Sequence, residues 1–293
     1  MADAWQERFL EAHRLPPTYL ETAARFFDPL AERLHREYRA LGQPLQVALN
    51  GSQGSGKSTL CAYLRDALAA RHGLRCIDLS LDDFYRTRAE REEIAVRVHP
   101  LLRTRGVPGT HDIPLLVRTL DSLIVAGSAA VPRFSKAADD RIATDDWEVV
   151  AAPVDVVLLE GWCLGARSEA EETLAQPVNA LEREEDPDAR WRVFINECLR
   201  RDYEPLYDRF NLWLMLAAPD FEQVLRWRTE QERKLRGRVG GAGAGLMDDK
   251  ALRRFVAHFE RHTRQCLQYL PARVDMLLEL DTQRNVTAVM CPS

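Results

Sequence analysis

The chain has 293 residues, of which 46% are hydrophobic and 29% are charged, a composition typical of a folded globular protein. This length predicts one large α/β domain or two small ones. The formal net charge of −5 provides no general basic field that would attract nucleic acid or an anionic membrane.

The chain start predicts no targeting segment. Residues 1–17 carry charges throughout and contain no apolar core, so no secretory signal is expected. No apolar run of about 18 residues occurs, which predicts no transmembrane helix. The six cysteines are scattered without C-x-x-C spacing, which predicts neither a zinc site nor a disulfide framework. We therefore expect a reduced, cytoplasmic protein.

In chain order, helical periodicity first predicts a helix over residues 17–41, within an N-terminal helical extension, residues 1–43, that packs on the core. Apolar runs and amphipathic segments then alternate. The predicted strands cover residues 45–50, 74–81, 154–160, 211–218 and 274–281. The predicted helices cover residues 56–73, 113–126, 190–207, 221–236 and 248–270.

This alternation predicts an α/β fold with a mostly parallel sheet and helices on both faces. Two segments do not follow this alternation of strands and helices. The acidic stretch 181–190 is expected to be an exposed insertion, and the glycine-rich stretch 237–245 is expected to be a mobile loop between two long helices.

Residues 50–59, NGSQGSGKST, contain the P-loop pattern G-x-x-x-x-G-K-[ST] between a predicted strand and a predicted helix. Backbone N–H groups and the helix N-terminus favour phosphate there. Lys57 would reach the β- and γ-phosphates of a nucleotide, and the Ser58 hydroxyl would hold Mg²⁺. The predicted nucleotide-binding residues are Gly51, Ser52, Gln53, Gly54, Ser55, Gly56, Lys57, Ser58 and Thr59.

Acidic residues end two of the predicted strands. Glu160 is expected to hold Mg²⁺ through water, or else to be a capping or surface residue. Asp82 and Asp83 follow the strand after the P-loop helix, and adjacent side chains of a strand face opposite ways. One is expected to face the γ-phosphate as a base and to contact the metal, unless the pair only caps the next helix.

The motifs around the P-loop indicate which class of P-loop protein the sequence encodes. The N-K-x-D loop of GTPases does not occur, and the second strand ends in Glu-Gly, whereas motor and helicase ATPases usually carry Asp. An aspartate beside the γ-phosphate is what a kinase needs to orient and deprotonate an acceptor hydroxyl.

Six segments, NGSQGSGKST, SLDDFY, RGVPGTHD, PRFSKAADDR, LLEGWCLG and WRTEQERKL, together resemble the D-glycerate 3-kinase family, a relative of uridine kinase, phosphoribulokinase and pantothenate kinase. The resemblance implies a P-loop NTPase-type three-layer fold with an added N-terminal helix and a helical lid. It implies a kinase domain over residues 44–293, with an insertion at about 166–205 and the lid at about 226–250. Its D-x-F pattern selects Asp82 as the base.

The resemblance also implies that the RGVPGTHD loop contacts the acceptor. An arginine fork at Arg105 would suit a carboxylate. On the residues alone, Asp112 could instead cap a helix, His111 could be structural and Lys136 could be a surface lysine. The predicted substrate-binding residues are Asp83, Tyr85, Arg105, His111, Asp112 and Lys136.

The predicted lid supplies cations that would neutralise charge on the transferred group. Arg228 fits the family pattern W-R-x-x-Q-E, and with Asp82 and Lys57 it completes the predicted catalytic set. Arg236 and Arg238 are weaker candidates, since a charged helix face explains them equally well.

We therefore expect a kinase that uses ATP and Mg²⁺ to phosphorylate D-glycerate directly, as a monomer or homodimer, with no nucleic-acid or membrane partner. Three alternatives remain open: the same chemistry on a nucleoside, pantothenate or sugar phosphate; a non-catalytic ATP switch; and an ATPase acting on nucleic acid.

Overall fold

A computed structural model of the chain describes residues 2–239 and 248–292, with the side chains of residues 231–239 and 249 left out of the description. The strands are β1 Leu45–Gly51, β2 Cys76–Ser80, β3 Gly127–Val131, β4 Phe134–Ser135, β5 Asp140–Arg141, β6 Glu148–Ala152, β7 Val156–Gly161, β8 Leu212–Ala217, β9 Met276–Leu280 and β10 Val286–Met290.

The helices are α1 Ala4–His13, α2 Tyr19–Thr22, α3 Asp28–Leu41, α4 Lys57–His72, α5 Arg88–Arg97, α6 Ile113–Ile124, α7 Glu171–Leu174, α8 Ala180–Glu185, α9 Arg190–Cys198, α10 Glu204–Tyr207, α11 Phe221–Val239, α12 Asp249–Ala257 and α13 Glu260–Tyr269. Single π-helical turns join α2 to α3 and α9 to α10. Within the described ranges, no helix is both long and apolar enough to cross a membrane.

The central sheet has the strand order β10-β9-β8-β1-β7-β2. All neighbours pair in parallel except β10, which runs antiparallel to β9 at the edge. The α/β prediction, with a mostly parallel sheet, is therefore confirmed. Each parallel crossover brings a strand back in the same direction, so the carboxyl ends of β1, β2 and β7 meet at one edge of the sheet.

Two apolar cores, one on each face of the sheet, create the three layers. Alternate residues of β1 supply opposite cores, since Val47 and Leu49 pack on one side and Ala48 packs on the other. In β7 the pattern repeats with Leu158 and Leu159. The continuous burial of both strands explains why their sequences are apolar runs without polar alternation.

The N-terminal helices complete one of these cores. Leu30 and Leu34 of α3 are fully buried in the same cluster as Val47 of β1 and Leu214 of β8. The predicted helix over 17–41 is thus confirmed, and its apolar face packs on the sheet layer. The proposed division of the chain at residue 43 stays a prediction.

The expectation that residues 181–190 are exposed is wrong for two of the charged residues in this stretch. Glu182 is 1% exposed and Asp186 is fully buried. Arg192 donates to Asp186 at 2.9 Å, and Arg261 of α13 donates to Glu182 at 2.6 Å. Buried carboxylates of this kind require cationic partners, and the composition of the acidic stretch does not reveal them.

Five short strands were missed by the sequence analysis. β3 and β6 form an antiparallel ribbon, β4 pairs with β5, and β10 adds to β9. β3 and β6 are partly exposed and rich in small residues, so they carry no clear apolar alternation. The predicted helix over 248–270 is also broken in two, with α12 and α13 separated at residues 258–259.

If α3 is part of the core, Leu34→Ala should lower the free energy of unfolding by about 3 kcal/mol, through lost apolar contact and a residual cavity. Leu41→Ala, on the same helix at a side chain that is 36% exposed, is the matched control and should cost less than about 1 kcal/mol. Urea unfolding followed by circular dichroism measures both. Equal small losses would show that the N-terminal helices are not integral to the core.

Candidate active site

The loop between β1 and α4 turns tightly and forms a cradle. Gly54 and Gly56 have φ angles of +79° and +96°, which side chains rarely adopt. Lys57 Nζ donates to the Ser52 carbonyl at 3.1 Å, across the loop. The hydroxyls of Ser52 and Ser55 are buried and have no hydrogen-bond partner among the described residues. These hydroxyls are available to phosphate oxygens, and the loop therefore fits a bound nucleotide.

The remaining predicted cradle residues lie in the same loop and the first turn of α4. Gln53 and Thr59 are half-buried, and Ser58 is exposed. At Gly51 an added Cβ would lie 2.8 Å from Ser55 Oγ and 2.9 Å from Lys57 Cγ. A side chain at Gly51 would therefore displace the lysine, which explains why this position requires glycine.

Glu160 faces the P-loop from the end of β7. Its carboxylate accepts a hydrogen bond from Ser58 Oγ at 2.8 Å and lies 3.7 Å from Lys57 Nζ. The carboxylate is 9% exposed, so the surface-residue alternative does not describe it. A hydroxyl and a carboxylate side by side offer the hard oxygen ligands that suit Mg²⁺.

Asp82 lies in a short turn, Leu81–Phe84, that directly follows β2. The last residue of β2, Ser80, pairs with Glu160 in the parallel sheet, which sets Asp82 two residues beyond the level of Glu160. The Tyr85 hydroxyl donates to Asp82 Oδ1 at 2.5 Å, and Lys136 Nζ donates to Oδ2 at 2.7 Å. Burial raises the pKa of Asp82, but Lys136 and these two hydrogen bonds outweigh it and lower the pKa below its usual value. Asp82 is therefore a carboxylate at neutral pH.

Asp83 makes different contacts. Its Oδ2 accepts from Arg133 at 3.1 Å, and its Oδ1 accepts from the backbone N–H of Phe134 at 3.2 Å. Burial raises the pKa of Asp83, and Arg133 only partly offsets this. The adjacent aspartates make separate contacts, although both lie in the turn after β2 and not in a strand: Asp83 anchors the segment at β4, and Asp82 bonds to Tyr85 and Lys136.

His111 is 1% exposed and packs against Tyr85, with ring centroids 4.8 Å apart. Its Nδ1 lies 2.6 Å from the hydroxyl of Tyr203, which accepts a hydrogen bond from the Gly109 N–H. Which of the Tyr203 hydroxyl and Nδ1 donates in this hydrogen bond depends on the imidazole tautomer. Burial lowers the pKa of His111 to about 4, so the ring is neutral. Nε2 has no partner among the described residues.

Asp112 caps α6, as the alternative interpretation predicted. Its Oδ1 accepts from the Leu115 N–H at 3.0 Å, and its Oδ2 accepts from Arg141 at 3.3 Å. Arg105 is paired with Asp139 and packs over the Phe134 ring. Both side chains are thus engaged within the protein, and their predicted contact with an acceptor stays a prediction.

Two residues of this region were missed by the sequence analysis. Asn50, at the end of β1, donates from its side chain to the carbonyls of Trp162 and Leu164 at 3.2 and 2.7 Å. Tyr203 comes from the predicted insertion and supports His111. No local motif marks either residue, because their contacts are 92 or more residues away in sequence. Trp162 itself is buried and donates to the Gly106 carbonyl.

Helix α11 borders the P-loop. The Trp227 Cβ lies 3.4 Å from the position that a Cβ on Gly54 would occupy. Arg228, the next residue, lies over the Phe255 ring at 5.6 Å. The side chains of Arg236 and Arg238, and residues 240–247 of the predicted lid, lie outside the described residues.

Comparisons with known proteins agree with this geometry. The chain is 29% identical over 247 residues to an uncharacterized kinase of Schizosaccharomyces pombe, covering 79% of this chain and 84% of that one. It is 30% identical over 261 residues to the chloroplastic D-glycerate 3-kinase of Arabidopsis thaliana, covering 83% of this chain and 54% of the plant protein. The solved structure of D-glycerate 3-kinase from Cryptococcus neoformans aligns with a TM-score of 0.74 and 25% identity, over 90% of this chain and 97% of that one. No protein-family model matches the chain.

The parallel sheet, the phosphate cradle and these similarities define a P-loop kinase. Within that class the chain is similar to the D-glycerate 3-kinases of Arabidopsis and Cryptococcus.

Gly51→Ala should weaken ADP binding by about tenfold or more, because the new methyl displaces Lys57 and removes a charge-assisted phosphate contact. Gly73→Ala, at the other end of α4 with open space around its Cβ position, is the matched control. Isothermal titration with ADP compares the two variants. Equal affinities would contradict the role assigned to the close approach at Gly51.

Proposed function

We propose that this kinase phosphorylates D-glycerate, with ATP as donor and Mg²⁺ as the required metal ion, to give 3-phospho-D-glycerate. The observation that carries the proposal is the carboxylate of Asp82, ionised and bonded to a cationic side chain, at the sheet edge that also holds the P-loop. The D-glycerate 3-kinases of Arabidopsis and Cryptococcus support the choice of acceptor.

ATP would bind with its phosphates in the P-loop, held by backbone N–H groups and Lys57. Ser58 and Glu160 would hold Mg²⁺, which supplies charge neutralisation to the β- and γ-phosphates when bound. Since Ser58 donates to Glu160 in this structure, the pair is already oriented as neighbouring oxygen ligands. Asp82 lies two residues beyond Ser80, the residue of β2 that pairs with Glu160. It would add a second carboxylate at this edge of the sheet.

Asp82 would act as the base toward the acceptor hydroxyl. Its low pKa keeps it ionised, and the Tyr85 hydroxyl fixes one of its oxygens. The pKa of Tyr85 is raised well above its usual value by burial and by Asp82, so the phenol keeps its proton and remains a donor. The second carboxylate oxygen would accept the substrate hydroxyl once Lys136 moves away.

Lys136 is the cation best suited to meet an anionic acceptor. Its side chain is 65% exposed, whereas Arg133 and Arg141 are 34% and 14% exposed and are held by Asp83 and Asp112. A glycerate carboxylate would draw the ammonium group from Asp82, leaving the aspartate free to accept the hydroxyl proton. The unpartnered Nε2 of His111 would supply a neutral polar contact on the buried side of the pocket, and Arg228 would stabilise charge on the transferred group.

Release of ADP should be stimulated by D-glycerate in a panel with L-glycerate, uridine, pantothenate, ribulose 5-phosphate and no acceptor. Asp82→Asn should lower kcat by about 100-fold or more, because the base is lost. Asp83→Asn is the matched control: its amide oxygen still accepts from Phe134 N–H, so kcat should fall less than about tenfold.

Stimulation by a different acceptor would retain the kinase mechanism and replace the substrate. Unchanged turnover in Asp82→Asn, with a large loss in Asp83→Asn, would reverse the assignment of the base. No stimulation by any acceptor, with tight ATP binding, would favour a nucleotide switch.

Lys136→Met should move the acid limb of the kcat/KM profile, which reports the free enzyme, to higher pH. Lys136 lowers the pKa of Asp82, so its removal raises that pKa, and the base is then protonated over a wider acidic range. Lys250→Met, an exposed lysine of α12, should leave the limb in place. A limb that does not move in Lys136→Met would show that Asp82 is not the titrating base.

A further inference from the structure

Three metal-binding side chains meet on the helical side of the sheet, away from the P-loop. Glu32 and His35 lie on one face of α3, three residues apart, and His72 is the last residue of α4. One ligand atom from each of the three lies within 4.8 Å of the others. His72 Nε2 is 3.1 Å from Glu32 Oε1, and the two imidazole rings stack with centroids 3.8 Å apart.

We propose that Glu32, His35 and His72 form a binding site for a zinc-type divalent transition metal. Two imidazoles and one carboxylate, with water as the fourth ligand, are a tetrahedral set that Zn²⁺ accepts. Ligand atoms on such a zinc ion lie about 3.3 Å apart, given bonds of about 2.0–2.1 Å. The His72–Glu32 spacing of 3.1 Å already matches this separation.

Coordination requires the two stacked imidazoles to turn so that each ring plane contains the ion. The Glu32 side chain is 44% exposed and His35 is half-buried, so both can rotate toward a shared ion. His72 occupies the C-terminal end of a 16-residue helix, where the helix dipole favours a cation. Arg39 is the cation that faces His35, and it is exposed and free to point into solvent.

The site would join the N-terminal helices to the far end of the P-loop helix. α4 runs from Lys57 to His72, so the metal would lie about 24 Å from the phosphate cradle along the helix axis. The metal would therefore stabilise the docking of α3 and take no part in phosphoryl transfer. The expectation of no zinc site came from cysteine spacing, whereas these ligands come together only through the packing of two helices.

Isothermal titration of the full chain with ZnCl₂, in excess Mg²⁺ and above the ordinary imidazole pKa of about 6.5, tests the proposal. The wild-type chain should bind one Zn²⁺. The variants His35→Gln, His72→Gln and Glu32→Gln should each lose affinity by about tenfold or more. His13→Gln, which removes an exposed histidine outside the cluster, is the matched control and should bind as the wild type does.

Two further variants exclude other zinc ligands. Cys291 is an exposed thiol whose Sγ accepts from Arg33 of α3, and Glu160 belongs to the P-loop site. Cys291→Ser and Glu160→Gln should leave zinc affinity unchanged. Loss of binding in either variant would assign the zinc to a thiol or to the nucleotide site and would overturn the proposal.

Thermal unfolding provides a second readout, with the metal-free melting temperature of each variant as the folding check. Zinc at about a hundred times Kd should raise Tm by about 5 °C in the wild type and in His13→Gln. The same zinc concentration should raise Tm by about 2 °C or less in His72→Gln, because the affinity of that variant is about tenfold or more lower. No zinc binding by the wild type, or equal binding by the three ligand variants, would show that the cluster is a packing arrangement only.

Discussion

The in-register parallel pairing of β7 with both β1 and β2 is the constraint on which the site depends. It sets the end of β7 level with the end of β1, where the P-loop begins, and with the end of β2, where the two aspartates follow. Glu160 thereby reaches Ser58 and Lys57 across 102 and 103 residues of sequence, while Asp82 extends past the same edge. A shift of one residue in this pairing would turn the strand-end side chains to the opposite face of the sheet.

The sequence predicted those parts of the fold whose information is local. Short stretches of the chain were enough to predict three features: the P-loop, the buried apolar runs of β1 and β7, and the end of α4 at Gly73. The prediction that Asp82 and Asp83 have different partners is borne out by their hydrogen bonds, but its reason was wrong, because both lie in the turn after β2 and not in a strand.

What the sequence did not predict depends on distant partners. The burial of Asp186 rests on how Arg192 folds back onto it from α9. The position of Tyr203 against His111 rests on the packing of two segments that are 92 residues apart in sequence. Charge composition and hydrophobic periodicity do not reveal such pairings, because the same residues would suit a solvated surface equally well.

The contact between Tyr203 and His111 has a consequence for how substitutions act on this region. The P-loop and Glu160 lie at the edge of the central sheet, whereas the ring of His111 is held by a side chain from the helical turn Leu199–Tyr203. A substitution at Tyr203 would change the surroundings of His111 and leave the strands that carry the P-loop and Glu160 untouched. These two parts of the molecule can therefore vary independently of each other.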